Sequence, residues 1–321
     1  MSRPARILLI AVTLIVAAVV AQAASTGPEL LRRSQQAERA HSYRGTRVSR
    51  MFFPRYSITA VAGVVHQRPA TTRVEYRSPS SIEGTVVLQV GAQRWRRASG
   101  DRLWQRAAAP PEPEAFDLLL RNYDLRVSPG TQPVAQRDCS LLLIDPRHKG
   151  NPSKRMWIDR ATGLVLRTEL LNWKQQHISI SAFRDIEVNP NLTGVLPSLA
   201  PPRQAQIAPR RTALGFQPIP PRYIPPGYVS RGTDPMTLGK FTAAHLRYTD
   251  GLNTISLFQA PGQAFADETP FGSMELSFTQ VIMWRRGDMA FAIMGDIDPA
   301  ELRKMADSIA PPAPPRARMS P

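Results

Sequence analysis

The sequence predicts an α+β protein built from two unequal, β-rich domains, and three observations lead there. Short runs rich in Val, Ile, Leu, Thr and aromatic residues recur between Gly and Pro turns from Gly45 onward. A hairpin signature, KRMWIDRATGLVLRTELL, occupies Lys154 to Leu171, with two apolar runs around Asp159 to Gly163 and a glycine able to take positive φ. The composition then turns abruptly to proline between Asn189 and Arg222 before strand-like segments resume. At 321 residues the chain exceeds one average domain, and 31 Pro and 19 Gly argue against a helical bundle.

Residues 1–23 read as a signal peptide. Arg3 and Arg6 form a positive start, Ile7 to Ala21 an apolar run too short for a comfortable membrane span, and Ala21-Gln22-Ala23 the small residues a signal peptidase needs. Cleavage is expected after Ala23, and no cysteine near it argues for a lipid anchor. Residues 24–188 form the larger domain. Pro28 to Tyr43 is a helix candidate with Pro28 at its first position, Glu29 at the positive dipole end, and Leu30, Ser34, Ala37 and His41 on one face. RVSRMFF, SITAVAGVVHQ, TTRVEYRS, GTVVLQVGAQRWRRAS and DRLWQR then describe an antiparallel meander. After a proline-rich loop, Phe116, Leu119 and Leu120 mark the apolar side of a short helix. CSLLLID, the basic loop PRHKGNPSKR, the central hairpin and a strand near His177 to Glu187 complete the domain.

Residues 189–222 are read as a semi-extended linker, and 223–310 as a small α+β domain. Its strands are RYIPPGYVS, FTAAHLRYTDG with LNTISLFQA, and SFTQVIMWRR with DMAFAIMGDI; Asp250-Gly251 and Gly287-Asp288 supply turns. A closing helix has Asp298 as N-cap, Pro299 at N1 and Glu301 at N3, with Leu302, Met305, Ala306 and Ile309 facing the sheet. Residues 311–321 are expected to be a disordered tail.

The chemistry is sparse. GxSxG, HExxH, CxxC and P-loop motifs are all missing from the sequence, and His41, His66, His148, His177 and His245 show no ligand spacing, so no catalytic residue, cofactor or metal is assigned. Cys139 is the only cysteine, which rules out an intramolecular disulfide and suits a buried small hydrophobe. Net charge is +16, and +14 once a segment with two arginines and no acid is removed. Outside the cytosol such a surplus favours lipid head groups, lipopolysaccharide, wall polymers or an acidic protein segment over nucleic acid; it also fits arginine scattered over solvated strand faces.

Several short motifs, in order, resemble the MucB/RseB regulators of the bacterial envelope stress response. They are Tyr43-Arg44-Gly45-Thr46-Arg47-Val48; Asn122-Tyr123; Val134-Ala135-Gln136-Arg137; Met156-Trp157-Ile158-Asp159 with Thr162-Gly163-Leu164 and Arg167; Thr249-Asp250-Gly251-Leu252 with Ser256-Leu257-Phe258; and Gly295-Asp296. Gln136 departs from the pattern, standing where that family usually carries Gly. The resemblance spans nearly the whole chain after the leader. It implies a large domain like those of the lipoprotein carriers LolA and LolB, a half-open antiparallel barrel with helices in its concavity, joined to a small C-terminal α+β domain. It further implies a periplasmic binding protein, not an enzyme, that restrains cleavage of a membrane anti-sigma factor by binding its periplasmic part and senses lipid, lipopolysaccharide or lipoprotein acyl chains. A homodimer is left open, and the rival reading is a LolA-like lipid or lipoprotein carrier without a signalling role. The expected apolar pocket draws on Leu88, Trp95, Trp104, Leu119, Trp157, Leu166 and Leu170. Arg147, His148, Lys149, Lys154 and Arg155 are the expected basic contacts for an anionic head group or acidic partner segment.

Overall fold

A computed structural model of the chain describes residues 25–106, 116–195, 199–200, 202, 205–206, 213–238, 241–262, 272–276 and 279–309. The expected leader and tail lie outside these residues. The large domain holds α1 (Gly27–Ala40), β1 (Tyr43–Phe52), β2 (Ser57–Gln67), β3 (Thr71–Ser78), β4 (Val86–Val90), β5 (Gln93–Arg97), β6 (Trp104–Arg106), α2 (Phe116–Asn122), β7 (Tyr123–Val127), β8 (Gln132–Val134), β9 (Arg137–Pro146), β10 (Ser153–Asp159), β11 (Val165–Leu171) and β12 (His177–Val188). After β13 (Ala205–Gln206) come β14 (Val229–Leu238), β15 (Phe241–Thr249), β16 (Thr254–Pro261), β17 (Gly272–Leu276), β18 (Thr279–Arg286), β19 (Met289–Gly295) and α3 (Pro299–Asp307).

Among the described residues the first thirteen strands form one sheet in the order β13-β6-β5-β4-β3-β2-β1-β12-β11-β10-β9-β7, with β8 paired to β9. The last strand of the large domain returns to the first, pairing Tyr43 with Val188 and Met51 with Ser179 in antiparallel register. β7 and β13 stay at opposite ends, so the sheet is open. The remaining six strands form a second sheet, β14-β15-β16-β19-β18-β17. This is the expected α+β class: a large unclosed antiparallel sheet with few helices, followed by a small sheet domain.

Thr26 starts α1 by accepting from the Glu29 amide, while the Glu29 carboxylate accepts from the Thr26 amide, a reciprocal cap that fixes the helix one turn ahead of its apolar face. The helix ends at Ala40, earlier than its apolar spacing suggests. Tyr43 instead opens β1, with its ring stacked 4.8 Å from His66 and edge-on to Phe183. Leu30 and Leu31 pack with Leu119, Tyr123, Leu142, Ile144, Met156 and Ile158. Met156 and Ile158 therefore face α1, and strand alternation turns Trp157 to the opposite side.

The central hairpin is held at its turn. Gly163, at φ +81°, returns its amide to the Asp159 carbonyl, and the buried Asp159 carboxylate accepts from the Thr162 amide and from Arg137 at 2.9 Å. Arg33 of α1 donates to the Arg160 and Ala161 carbonyls, docking the helix onto this loop. At the β8–β9 turn Ala135 and Gln136 take φ of +49° and +59°, two consecutive left-handed residues as a two-residue hairpin of type I′ requires. Glycine would serve here without strain, and the chain instead carries Gln136.

Two expectations are corrected. RYIPPGYVS is not one strand: Pro225 and Pro226 lack amide hydrogens, Gly227 sits at φ +87°, and the turn closed by the Tyr228 amide on the Pro225 carbonyl delays β14 to Val229. Asp298 caps α3 as expected, accepting from the Ala300 amide. Glu301 does not reach back to it, because its carboxylate is taken by Tyr223 and Lys304. Parts of 189–222 adhere to the domains: Leu192 and Leu199 are buried, β13 pairs parallel to β6, and Leu214, Phe216 and Ile219 pack on the second core.

On the Trp157 face, Arg155 pairs across strands with Glu169 and Trp157 with Arg167. The Glu169 carboxylate, 4% exposed, meets Arg167, His177 at 3.1 Å and Arg155 at 3.7 Å. Burial pushes this carboxyl up, but the hydrogen bonds from His177 and Arg167 outweigh it and hold it below the ordinary 4.5. A carboxyl that titrates lower folded than unfolded stabilises fully above its unfolded value and loses that contribution as pH falls through the folded one. Thermal denaturation is therefore expected to show wild type more stable than Glu169→Gln near neutral pH, with the gap closing below about pH 4.5.

Candidate functional site

The two domains meet around one side chain. Asp250 sits in the β15–β16 turn with Gly251 at φ +101°, and it is 0% exposed. Its Oδ1 accepts from the Leu252 and Asn253 amides at 3.0 and 2.7 Å, the pattern that shapes an Asx-type turn. Its Oδ2 is given to the other domain: the Tyr123 hydroxyl donates at 2.6 Å and the Asn151 amide at 2.9 Å. Asn122, last residue of α2, donates to the carbonyls of Asp250 and Gly227, both at 2.8 Å. Tyr123, Asn122 and Asn151 are all buried, so these bonds form away from water, where losing a partner is costly.

Backbone proximity completes the contact. A Cβ on Gly251 would come within 2.6 Å of the Leu119 amide nitrogen, and one on Gly227 within 2.7 Å of the His148 ring. The Asp298 amide donates to the Gly150 carbonyl at 2.9 Å, which ties the start of α3 to the loop between β9 and β10. Burial pushes the Asp250 carboxyl above the usual aspartate range, against the Tyr123 hydroxyl and the turn amides, which favour the ionised form.

The expected basic residues divide. Arg147, His148 and Lys149 share the loop that borders this junction: Arg147 is exposed and paired with Asp124 at 2.9 Å, Lys149 is exposed, and His148 is turned inward to Asn122 at 3.3 Å. Lys154 and Arg155 are neighbours on β10 and point to opposite faces, Arg155 towards Glu169. The expected apolar residues are mostly core. Leu88 and Trp95 are buried cross-strand partners on β4 and β5. Half-buried Trp104 lies 5.0 Å under the Arg97 guanidinium, and Leu119 packs beneath α1. Trp157 and Leu166 share another cluster, where Trp157 donates to Gln132 at 2.7 Å and stacks under Arg167 at 4.6 Å, while Leu170 is half-buried beside Lys154.

None of these apolar residues lines either of two surface depressions. One, about 420 Å³, is ringed by Arg44, Arg73, Arg77, Glu75, Asp185 and Glu187 with Gly45 and Gly63 beneath. The other, about 450 Å³, lies between Pro28, Leu125 and Arg147. Reading the sequence for reactive side chains passed over Asn122, Tyr123, Asn151 and Asp250. The available signal was that Asn122-Tyr123 and Asp250 belong to separate motifs of one family pattern, and such motifs tend to meet. Asp250→Ala leaves a hydroxyl, a side-chain amide and two backbone amides without their acceptor. It is expected to cost about 3 kcal/mol in urea unfolding, against about 1 kcal/mol for Tyr123→Phe.

Comparison with known proteins agrees with this architecture. Residues 95–209 match the model of the MucB/RseB N-terminal domain. The sigma factor AlgU regulatory protein MucB of Pseudomonas aeruginosa is 26% identical over 309 residues, covering 92% of this chain and 94% of that protein. The MucB chain in the complex structure of P. aeruginosa MucA/MucB superposes with a TM-score of 0.69 at 21% identity, covering 90% of this chain and 99% of its own. A crystal structure of MucB with MucA(peri) gives a TM-score of 0.64 at 20% identity, covering 90% of this chain and all of that one. The chain is thus similar to MucB over nearly its whole length, matches the MucB/RseB N-terminal domain over residues 95–209, and shares the fold of the solved MucB structures.

Proposed function

We propose that this chain is an extracytoplasmic binding protein that regulates a sigma-factor pathway by holding the periplasmic part of a membrane anti-sigma factor, and that it responds to lipid or lipoprotein acyl chains. The observation that carries the reading is the buried Asp250 junction, which makes the two domains one body. A lipid carrier needs only a sheet and a helix around its cargo. A second domain fixed to the first by a desolvated carboxylate instead presents one continuous surface to a partner longer than either domain.

Arginine chemistry supports the choice of partner. Arg147 and Lys149 stand exposed at the junction, within a chain of net charge +16, and would attract an acidic segment. The lipid response rests on Leu88, Trp95, Trp104, Leu119, Trp157, Leu166 and Leu170. Because most of them are packed core, an acyl chain enters only by displacing them, and that displacement would couple lipid to partner release. Export to the periplasm, with cleavage after Ala23, belongs to the same proposal.

The test is purification of the mature protein with the periplasmic segment of a single-span anti-sigma factor from the same genome. The expected result is a stable complex that shields the segment from protease and weakens when acyl lipid is added. A mature protein that retains lipid by mass spectrometry yet binds no such segment would replace regulation with carriage.

A further inference from the structure

Three of the seven large apolar side chains exposed on the described surface fall at the end of one hairpin: Met51 at 50%, Tyr56 at 60% and Ile58 at 43%. The hairpin is β1–β2, and the β2 side of its end is free of a second strand. β12 accompanies β1 only as far as Met51, and β3 joins β2 only from Val61, so Ser57 to Ala60 has β1 as its one strand neighbour among the described residues. Met51 and Ile58 are register partners and share a face, whereas Arg50 and Phe52 point to the other.

The tip is ordered before it meets anything. Phe53 and Tyr56 stack at 4.4 Å and the Phe53 amide donates to the Tyr56 carbonyl at 2.8 Å, which lowers the entropy lost on docking. From Ser49 to Ala60 there are two arginines, Arg50 and Arg55, and no acid. Arg50 is steadied by Thr59 at 3.2 Å, and its guanidinium lies 6.0 Å from the Phe52 ring.

We propose that the β1–β2 tip docks on an anionic lipid surface, seating Met51, Tyr56 and Ile58 at the acyl boundary and Arg50 and Arg55 among the head groups. Long cationic side chains with apolar stems and a tyrosine with one wet end are the residue types that suit this layer. Exposed Met51 and Ile58 sit side by side with Arg50 and Arg55 close in the chain, and a lipid interface takes apolar side chains and cations together within a few ångströms of depth. The charge is complementary, since each arginine near an anionic membrane strengthens binding by about fivefold. This inference reaches beyond partner binding, because it places the protein against the membrane whether or not an anti-sigma factor is present.

Co-sedimentation of the mature full-length protein with vesicles of mixed phosphatidylglycerol and phosphatidylcholine tests it. Wild type is expected to bind these vesicles, to bind pure phosphatidylcholine vesicles weakly, and to release as salt rises. The pair Met51→Asp with Ile58→Asp should lower binding at least about tenfold, and Arg50→Gln with Arg55→Gln about twenty-five-fold, from two factors of roughly five. All four positions are exposed, and unchanged thermal denaturation confirms folding of the variants. As a second readout, Tyr56→Trp emission should shift to the blue on the anionic vesicles and be quenched by brominated acyl chains. Failure of wild type to bind, retention of binding by the variants, or an unshifted Tyr56→Trp emission each overturns the proposal. Variants that keep vesicle binding but lose an anti-sigma segment would make the tip a protein-docking surface instead.

Discussion

Burying a carboxylate costs several kcal/mol unless donors surround it, and the architecture here turns on one that is surrounded from two directions. Asp250 uses one oxygen to shape its own turn and the other to receive Tyr123 and Asn151 from the neighbouring domain. Neither domain alone satisfies it. Separating the domains would hydrate the carboxylate but strand the geometry of the loop and of α2, whose end is pinned through Asn122 to two carbonyls of the small domain. The glycines at the contact follow from the same constraint: at Gly251 and Gly227 the other domain's atoms occupy the place a Cβ would need.

The large sheet is arranged so that this junction can form. Pairing of β1 with β12 brings the first and last strands of the domain together and leaves β7 at an edge, directly after α2, with Tyr123 as its first residue. α1 covers the same side through Leu30 and Leu31, fixed at one end by its Thr26 cap and at the other side by Arg33 on the central hairpin turn. The opposite face of that hairpin sets Trp157 in a second apolar cluster beside the buried Glu169, which pairs with Arg155 and Arg167 and meets His177 at 3.1 Å. Arg155 and Arg167 are held in such pairs, while Arg55, Arg77 and Lys149 remain exposed.

Strand periodicity, turn glycines and the proline shift made the two-domain α+β plan legible, and the Asp298-Pro299 start of α3 and the Gly163 turn were readable because local chemistry alone decides them. The end of α1 was not, since tertiary packing of Tyr43 against His66 and Phe183 overrides helical spacing. Nor was the strand before β14, where two consecutive prolines outweigh the flanking apolar residues. The site was the least legible. Asp250 reads locally as an ordinary turn residue, and its role depends on partners more than ninety positions away, a separation that side-chain type cannot reveal. Trp157 shows the converse: its identity suggested a pocket, but the alternation set by Met156 and Ile158 turns it from α1 to lie under Arg167.

The claim that one buried carboxylate binds the domains into a single body is tested most directly by native-state hydrogen exchange at the Leu252 and Asn253 amides, which donate to it. If the account holds, both exchange only as slowly as the most protected core amides of the large domain, because releasing them requires the junction to open. Exchange of these two amides at the rate of ordinary surface turns, with the cores of both domains still protected, would contradict it.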